Sequence, residues 1–263
     1  MKIVFDVDGT ICFNGQYIEK SLVDEVKKLK EKNDIIFASA RPIRDLIPVV
    51  KEFKNDILIG GNGSIISKDS EIEVIKKIPD FEFSQIKSII NKYNLKYIID
   101  GAFNYSSNTD SNNKIYKQLD PERLAKNVKM VEIEEPIKII LVDLSRDLFD
   151  SIKNYFIEAQ FNINILYHVD EMNIDITAKG IDKFSTLQKI IKQEPYIAYG
   201  NDVNDYALLK NANISYFVSP KNVELPFNAT AIIGNNSSEV IKSIKNIKGK
   251  NCGRKFKRIN ETK

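Results

Sequence analysis

The chain carries, near each of its ends, short apolar runs that alternate with segments of helical periodicity, and this feature most constrains its fold. Residues 3–5 and 35–38 are β-branched and aromatic runs of strand length. Each is followed by apolar residues at helical spacing, and a third strand is predicted at 57–59. Crossover helices between consecutive strands make those strands parallel. The pattern therefore predicts an α/β fold with a parallel sheet.

Two helices are predicted between these strands. The first has an apolar face along residues 22–29, and Ser21 is expected to cap it. The second is expected to begin near Pro42, because proline suits a first helical turn, and to carry its apolar face as far as Phe53.

The same alternation returns near the other end, with predicted strands at 196–199, 214–218 and 231–233. Both ends are therefore expected to form one doubly wound, Rossmann-like sheet, in which ligands bind at the carboxyl ends of the strands. Between them the pattern changes to helices and alternating strands. We expect a core of residues 1–77 and 176–263, with an inserted α/β domain at 78–175.

Composition indicates a globular protein outside membranes. Of the 263 residues 43% are hydrophobic and 29% charged, and no run approaches the roughly 20 apolar residues of a bilayer span. The start becomes acidic at Asp6, too early for a signal peptide. Cys12 and Cys252 are far apart in sequence, so we expect no disulfide and a cytoplasmic location.

Lysine and arginine are concentrated at the end of the chain, from Lys242 to Lys263, although the net charge is only +3. Such a tail could bind nucleic acid or anionic lipid, or form a solvated last helix. Elsewhere lysines alternate with acidic residues without the aromatic pattern that stacks bases, so no nucleic-acid partner is expected. The oligomeric state stays open.

The segment Asp6-Val7-Asp8-Gly9-Thr10 follows the first predicted strand. Because side chains alternate along a strand, the carboxylates of Asp6 and Asp8 would converge. Two close carboxylates need a cation, and magnesium prefers such hard oxygen ligands.

This segment resembles the first motif of the haloacid dehalogenase superfamily, most of whose members are phosphatases. The resemblance implies that Asp6 attacks phosphorus to form an aspartyl phosphate and that Asp8 is the general acid and then the general base. It also implies that both aspartates bind magnesium and that Gly9 and Thr10 contact the substrate.

Phe37-Ala38-Ser39-Ala40-Arg41 resembles the second motif of the same family. The resemblance implies that the Ser39 hydroxyl hydrogen-bonds the phosphoryl group. A serine before a helix is also a common cap. Arg41 is expected to contact the substrate or the inserted domain.

Lys179-Gly180-Ile181-Asp182-Lys183 resembles the third motif and places Lys183 at a helix start. The resemblance implies that Lys183 neutralises the phosphate and orients the nucleophile. Many relatives have glycine after this lysine, whereas this chain has Phe184, which could narrow access to the site.

Gly200-Asn201-Asp202-Val203-Asn204-Asp205 resembles the fourth motif, which supplies the acidic metal ligand. Asn201 stands where aspartate is usual. We expect Asn201 and Asp205 to bind the metal, with Asp202 as an alternative ligand, and Asn204 to support the phosphate.

The four motifs occur in the family order, and the insertion lies between the second and third. This position resembles the Cof-type phosphatases, whose α/β cap closes over the active site and selects the substrate. The resemblance implies a magnesium-dependent phosphatase of sugar phosphates or similar small metabolites. The alternatives are a sugar phosphomutase similar to phosphomannomutase and a non-catalytic regulator that binds sugar phosphate.

Two other features are given structural roles. Residues 60–63 are glycine-rich but fit no nucleotide-binding fingerprint, so we interpret them as a linker into the cap. His168 is the single histidine of the chain and is also interpreted as structural.

Overall fold

The computed structural model describes residues 1–220 and 223–250, so most of the basic C-terminal segment, including Cys252, lies outside the described residues. The helices are α1 (Lys20–Lys30), α2 (Ile43–Leu46), α3 (Asp80–Tyr93), α4 (Arg146–Ala159), α5 (Lys183–Ile191), α6 (Tyr206–Lys210) and α7 (Ser237–Lys250). The strands are β1 (Lys2–Asp6), β2 (Asp34–Ala38), β3 (Ile57–Gly60), β4 (Ile65–Lys68), β5 (Glu71–Val74), β6 (Lys96–Asp100), β7 (Tyr105–Ser107), β8 (Lys138–Val142), β9 (Ile163–His168), β10 (Asn173–Ala178), β11 (Tyr196–Gly200), β12 (Ile214–Val218) and β13 (Ala231–Ile233). None of the described helices combines the length and apolar character needed to cross a bilayer.

The larger sheet, here called the core sheet, has the order β13-β12-β11-β1-β2-β3-β4-β5. The strands from β13 to β3 in this order are parallel, and β4 and β5 extend the sheet as an antiparallel hairpin. The chain winds outward from β1 first through β2 and β3, and later in the other direction through β11, β12 and β13. This is the predicted doubly wound α/β fold, which is confirmed.

Both faces of the core sheet are covered by helices. Ile3 and Phe5 of β1 pack on one face with apolar residues of α1 and α7. Val4, which points the other way, packs with Leu187 of α5 and Leu208 of α6. Burial on both faces explains why β1 is a continuous apolar run rather than an alternating one.

The second sheet, here called the cap sheet, has the order β7-β6-β8-β10-β9 and is antiparallel throughout. Helices α3 and α4 pack on one face of it through Phe83, Ile86, Phe149 and Phe156. An inserted α/β unit was predicted here. Its predicted end between residues 175 and 176 falls inside β10, which pairs with β9 as far as Ala178. We therefore propose that the cap ends after Ala178.

Two local expectations about the helices were wrong. Helix α1 begins at Lys20, with Glu19 at the N-cap position and no side-chain cap bond, so Ser21 lies inside the helix. The helix after Pro42 ends at Leu46 instead of continuing to Phe53. Pro48 lacks a backbone N–H and cannot donate the next helical hydrogen bond, which explains the early end.

The glycine-rich turn 60–63 is not a linker into the cap. It joins β3 to β4 within the core sheet. Gly63 has a φ of +101°, and a Cβ there would overlap the main chain of Asp182. The Thr186 hydroxyl also donates to the Gly63 carbonyl at 2.6 Å. The turn therefore seats the beginning of α5, which carries Lys183.

A buried arginine joins the core to the cap. Arg44 of α2 is fully buried and donates to both carboxylate oxygens of its neighbour Asp45 at 2.9 Å. It also donates to Asp100 of β6 at 2.6 Å and to the Phe103 carbonyl at 2.9 Å. Asp45 in turn accepts the backbone N–H of Asp120 at 2.8 Å. These bonds fix the cap against the core at one point.

We predict that Arg44→Met lowers the free energy of unfolding by about 3–5 kcal/mol, because it leaves two buried carboxylates without their cation. Denaturant unfolding followed by circular dichroism measures the loss. Arg146→Met is the matched control, since Arg146 forms only an exposed pair with Asp150 and should contribute less than about 1 kcal/mol. Equal losses in the two variants would contradict this role of Arg44.

Candidate active site

The candidate site lies at the carboxyl edge of the core sheet. Asp6 is the last residue of β1, Ser39 follows β2, and Gly200 ends β11. Lys183 is the first residue of α5. Asp182 caps this helix by accepting the Ser185 backbone N–H at 2.6 Å. The Asp182 side chain therefore fixes where α5 begins and which residue faces the sheet edge.

Lys183 is the centre of the site. Its ammonium group is buried and lies 2.6 Å from Asp6 Oδ1 and 2.6 Å from Asp205 Oδ1. Burial by itself lowers the pKa of Lys183, but the charges of the two aspartates outweigh it and hold the pKa above its ordinary value. The lysine is therefore a fixed positive charge next to Asp6.

Asp6 is a buried carboxyl whose two oxygens have different partners. Oδ1 faces Lys183, and Oδ2 accepts the Thr10 hydroxyl at 2.7 Å. The pKa of Asp6 is raised to about 7, chiefly by burial and further by repulsion from Asp205, while Lys183 and Thr10 lower it in part. Lys183 and Thr10 are thus the groups that favour the ionised, nucleophilic form.

Asp205 anchors the loop after β11. Its Oδ1 accepts from Lys183, while Oδ2 accepts the backbone N–H groups of Asn201 at 3.0 Å and Asp202 at 3.2 Å. Because both carboxylate oxygens are engaged in this way, the predicted role of Asp205 as a direct metal ligand finds no support in the geometry.

The Asn201 amide lies against three oxygen atoms. Oriented with its nitrogen toward them, it donates to Thr10 Oγ1 at 3.1 Å, to Asp6 Oδ2 at 3.0 Å and to the Asp8 main-chain carbonyl at 3.0 Å. Gly9 has a φ of +76°, and a Cβ there would overlap this amide. The glycine of the first motif is therefore required both by its backbone conformation and by the close approach of Asn201.

The residues present fit a magnesium ion, although not as a cluster of acids. Within the described residues no group of three or more His, Cys, Asp or Glu side chains is arranged to hold a metal. The oxygens beside Asn201 instead comprise one carboxylate, one main-chain carbonyl and one hydroxyl. Such hard oxygen donors are the class that magnesium binds. The site therefore offers magnesium a set of oxygen ligands with a low total negative charge.

The Asp8 carboxylate does not converge on Asp6 but pairs with Arg41. The guanidinium donates through Nε at 2.8 Å and through Nη2 at 2.7 Å, one bond to each carboxylate oxygen. Arg41 Nη2 also donates to the Gly15 carbonyl at 2.7 Å. Arg41 therefore holds the loop after β1.

The remaining predicted residues have local partners. Ser39 is buried, and its hydroxyl accepts the Arg41 backbone N–H at 3.1 Å. Asn204 is exposed and donates to Asn62 Oδ1 at 3.4 Å. Phe184 packs into the core with Leu187, so the structure does not support the expectation that it narrows access to the site.

A cleft of about 400 Å³ opens beside the Asp8–Arg41 pair. The cap contributes Ile98, Lys138 and Ile140 to its lining. Sequence reasoning missed these residues, because their positions in β6 and β8 carry no motif. His168 does not line this cleft, and its Nε2 lies 3.7 Å from Asp175 Oδ1 on the neighbouring strand β10.

The sequence comparison identifies the family. Residues 3–244 match the model of the haloacid dehalogenase-like hydrolases. The chain belongs to this family. The resemblance to the haloacid dehalogenase superfamily is confirmed, and the chain is a hydrolase of the class that includes phosphatases and other phosphotransferases. No curated protein matches the sequence significantly.

Solved structures share the fold of this haloacid dehalogenase-like hydrolase over almost its whole length. A haloacid dehalogenase-like hydrolase from Bacteroides thetaiotaomicron has a TM-score of 0.80 at 18% identity, with 94% of this chain and 98% of that chain covered. A protein from Thermotoga maritima has a TM-score of 0.79 at 20% identity, with coverage of 93% and 96%. A sugar phosphatase of subclass IIB has a TM-score of 0.71 at 18% identity, with coverage of 94% and 98%. At these identities the likeness establishes the fold.

We predict that Lys183→Met lowers the free energy of unfolding at neutral pH by about 3–5 kcal/mol, because Asp6 and Asp205 are left buried without a cation. Thermal and denaturant unfolding measure this change. Lys189→Met is the control in the same helix, since Lys189 is exposed and its replacement should change stability by less than about 0.5 kcal/mol. A loss for Lys183→Met as small as that of the control would refute the central role of Lys183.

Proposed function

We propose that the protein is a magnesium-dependent phosphatase of small phosphomonoesters, sugar phosphates or similar metabolites, which forms an aspartyl phosphate on Asp6. One observation carries the proposal: the buried Lys183 ammonium is held against Asp6 at the carboxyl end of β1. A positive charge fixed there can neutralise a phosphoryl group as it approaches the carboxylate. The free thiol of Cys12 fits the reducing cytoplasm, the compartment that we propose.

The proposed reaction has two displacements. In the first, an Asp6 carboxylate oxygen forms a bond to phosphorus, the ester P–O bond breaks, and the leaving alkoxide takes a proton from the Asp8 carboxyl. In the second, Asp8 takes a proton from water, the resulting oxygen bonds to phosphorus, and the bond between phosphorus and Asp6 breaks. Inorganic phosphate leaves, and both aspartates return to their starting state.

Other residues are proposed to hold the phosphoryl group during these steps. Lys183 compensates its negative charge, and the buried Ser39 hydroxyl and the Gly9–Thr10 backbone lie at the same sheet edge as Asp6. Asn204 is proposed to support the phosphate from the outer side of the site. Arg41 pairs with the Asp8 carboxylate beside the cleft, so Asp8 acts as the acid only when it is protonated and released from this pair.

Magnesium is proposed to bind to Asp6, the Asp8 main-chain carbonyl and the amide oxygen of Asn201. With the ion bound, the amide would turn this oxygen, instead of its nitrogen, toward the other two ligands. Members of this superfamily generally use this ion, and the oxygens around Asn201 support the assignment. Bound there, it would supply positive charge to the phosphoryl oxygens. Asp205 is proposed to act indirectly, because it holds Lys183 and the backbone of the Asn201 loop.

The cleft supports the proposed substrate class. A volume of about 400 Å³ suits a small ester rather than a polymer end. Its lining mixes apolar side chains such as Ile98 and Ile140 with polar ones such as Gln118, which fits a hydroxylated leaving group. The structural relative described as a sugar phosphatase agrees with this choice.

A non-catalytic regulator that binds sugar phosphate is the second candidate, and Asn201 is the observation that favours it. A neutral amide replaces the usual carboxylate and lowers the negative charge of the proposed metal site. Such a regulator would bind esters but release no phosphate. A sugar phosphomutase would instead return the phosphoryl group from Asp6 to a second hydroxyl, so its product would be an isomeric ester.

We predict that Asp6→Asn reduces phosphate release from p-nitrophenyl phosphate by roughly a thousandfold or more while the fold is retained, because an amide cannot attack phosphorus. The measurement is initial-rate phosphate release with magnesium and with a chelator. Asp24→Asn, an exposed position on α1, is the control and should keep the wild-type rate. Turnover by Asp6→Asn at a near wild-type rate would rule out the covalent mechanism, and no release by the wild type would favour the regulator.

We also predict that Asn201→Asp lowers the magnesium concentration for half-maximal activity by about tenfold, because it adds a negative charge to a site that otherwise has one carboxylate. Activity is titrated with magnesium in both proteins. Asn91→Asp makes the same charge change at an exposed position on α3 and should not move the midpoint. An unchanged midpoint in Asn201→Asp would show that this residue is not next to the metal.

A further inference from the structure

A second cleft continues from the active-site cleft. It has a volume of about 630 Å³, compared with about 400 Å³ for the first. We call them the outer and the inner cleft. Gly15, Arg41 and Gln118 line both of them. A ligand in the inner cleft therefore has a direct path into the outer one.

Three lysines, each of them exposed, line the outer cleft. Lys51 comes from the core, and Lys114 and Lys117 come from the cap loop between β7 and β8. In the described part of the chain none of these ammonium groups forms an ion pair. Glu122 is the single acidic residue of this lining, so the cleft is basic.

Two lysines of α1, by contrast, form ion pairs. Lys27 Nζ lies 2.6 Å from Glu52, and Lys30 Nζ lies 2.6 Å from Asp56. The two acidic partners belong to the segment 51–56, which also contributes Lys51 to the outer cleft. Three unpaired ammonium groups around one cavity repel each other, so they favour an anion between them.

The inner cleft has no such excess of positive charge. Its Arg41 is paired with Asp8, and its Lys138 lies 2.8 Å from Asp175. The Asp45 and Asp100 carboxylates in its lining are paired with the buried Arg44. Charge that remains uncompensated is therefore found in the outer cleft, away from the site of phosphoryl transfer.

We propose that the substrate is a phosphomonoester with a second anionic group, and that Lys51, Lys114 and Lys117 bind this group in the outer cleft. The proposal rests on the function proposed above and narrows its substrate class. The second group is a phosphate or a carboxylate, since either one is complementary to three ammonium groups. Because the lysines come from both core and cap, this binding also draws the two units together.

The test compares three ligands that differ only at one carbon of the sugar: glucose 1-phosphate, glucose 1,6-bisphosphate and glucuronic acid 1-phosphate. Their dissociation constants are measured by titration calorimetry on the Asp6→Asn protein, which does not consume them. The same titrations are made on a variant that combines Asp6→Asn with Lys51→Gln, Lys114→Gln and Lys117→Gln. Lys189→Gln, Lys210→Gln and Lys245→Gln, on α5, α6 and α7, form the control with the same net charge, and none of them lines either cleft.

We expect at least one of the two ligands with a second anionic group to bind about tenfold more tightly than glucose 1-phosphate. That preference should disappear in the outer-cleft triple variant and persist in the control. The ligand that binds more tightly shows whether the outer cleft binds a phosphate or a carboxylate. Equal binding of all three ligands, or a preference that survives the outer-cleft substitutions, overturns the proposal. Failure of the proposed function is a separate result, because it appears as no phosphate release by the wild-type enzyme from any ester.

Discussion

The contact of one buried ammonium with two carboxylates organises this protein. Lys183 lies between Asp6 and Asp205, which come from the first strand and from the loop after β11. Three parts of the fold bring these groups together: the sheet edge, the beginning of α5 at its seat on Gly63, and the loop closed by Asp205. Because the three groups are buried, the arrangement is stable only when all three charges are present. Stability and the proposed catalysis therefore depend on the same atoms.

The same arrangement explains how charge is divided in the site. Asp205 is engaged by Lys183 and by backbone N–H groups, and Asp8 is held by Arg41. Asp6 is then the carboxylate that faces the Asn201 amide. A metal in this position would depend on neutral oxygens, which makes Asn201 the residue whose chemistry most affects its affinity. The basic outer cleft adds positive charge at a distance, where we propose that it selects which ester binds and does not act on the phosphorus.

Much of this could be predicted from the sequence, because the signals were local. The apolar runs predicted β1, β2, β3 and the later core strands, and the segment from Asp6 to Thr10 indicated the family that the comparison confirmed. What could not be predicted depends on distant contacts. The proposed end of the cap after β10 depends on the pairing of β10 with β9. The contact of Asp205 with Lys183 joins residues 22 positions apart in the chain. Arg44 has no motif, and its role exists only because Asp100 of the cap lies beside it.

Acid quenching can trap the proposed aspartyl phosphate on Asp6 before it is hydrolysed. The protein is mixed with p-nitrophenyl phosphate and magnesium and is quenched in acid within milliseconds. It is then digested, and the masses of its peptides are measured by mass spectrometry. We expect the peptide containing Asp6 to gain the mass of one phosphoryl group and to lose it after treatment with hydroxylamine. Phosphate release at a normal rate with this peptide unmodified at every quench time, or with the phosphoryl group on another residue, would contradict the proposed covalent intermediate.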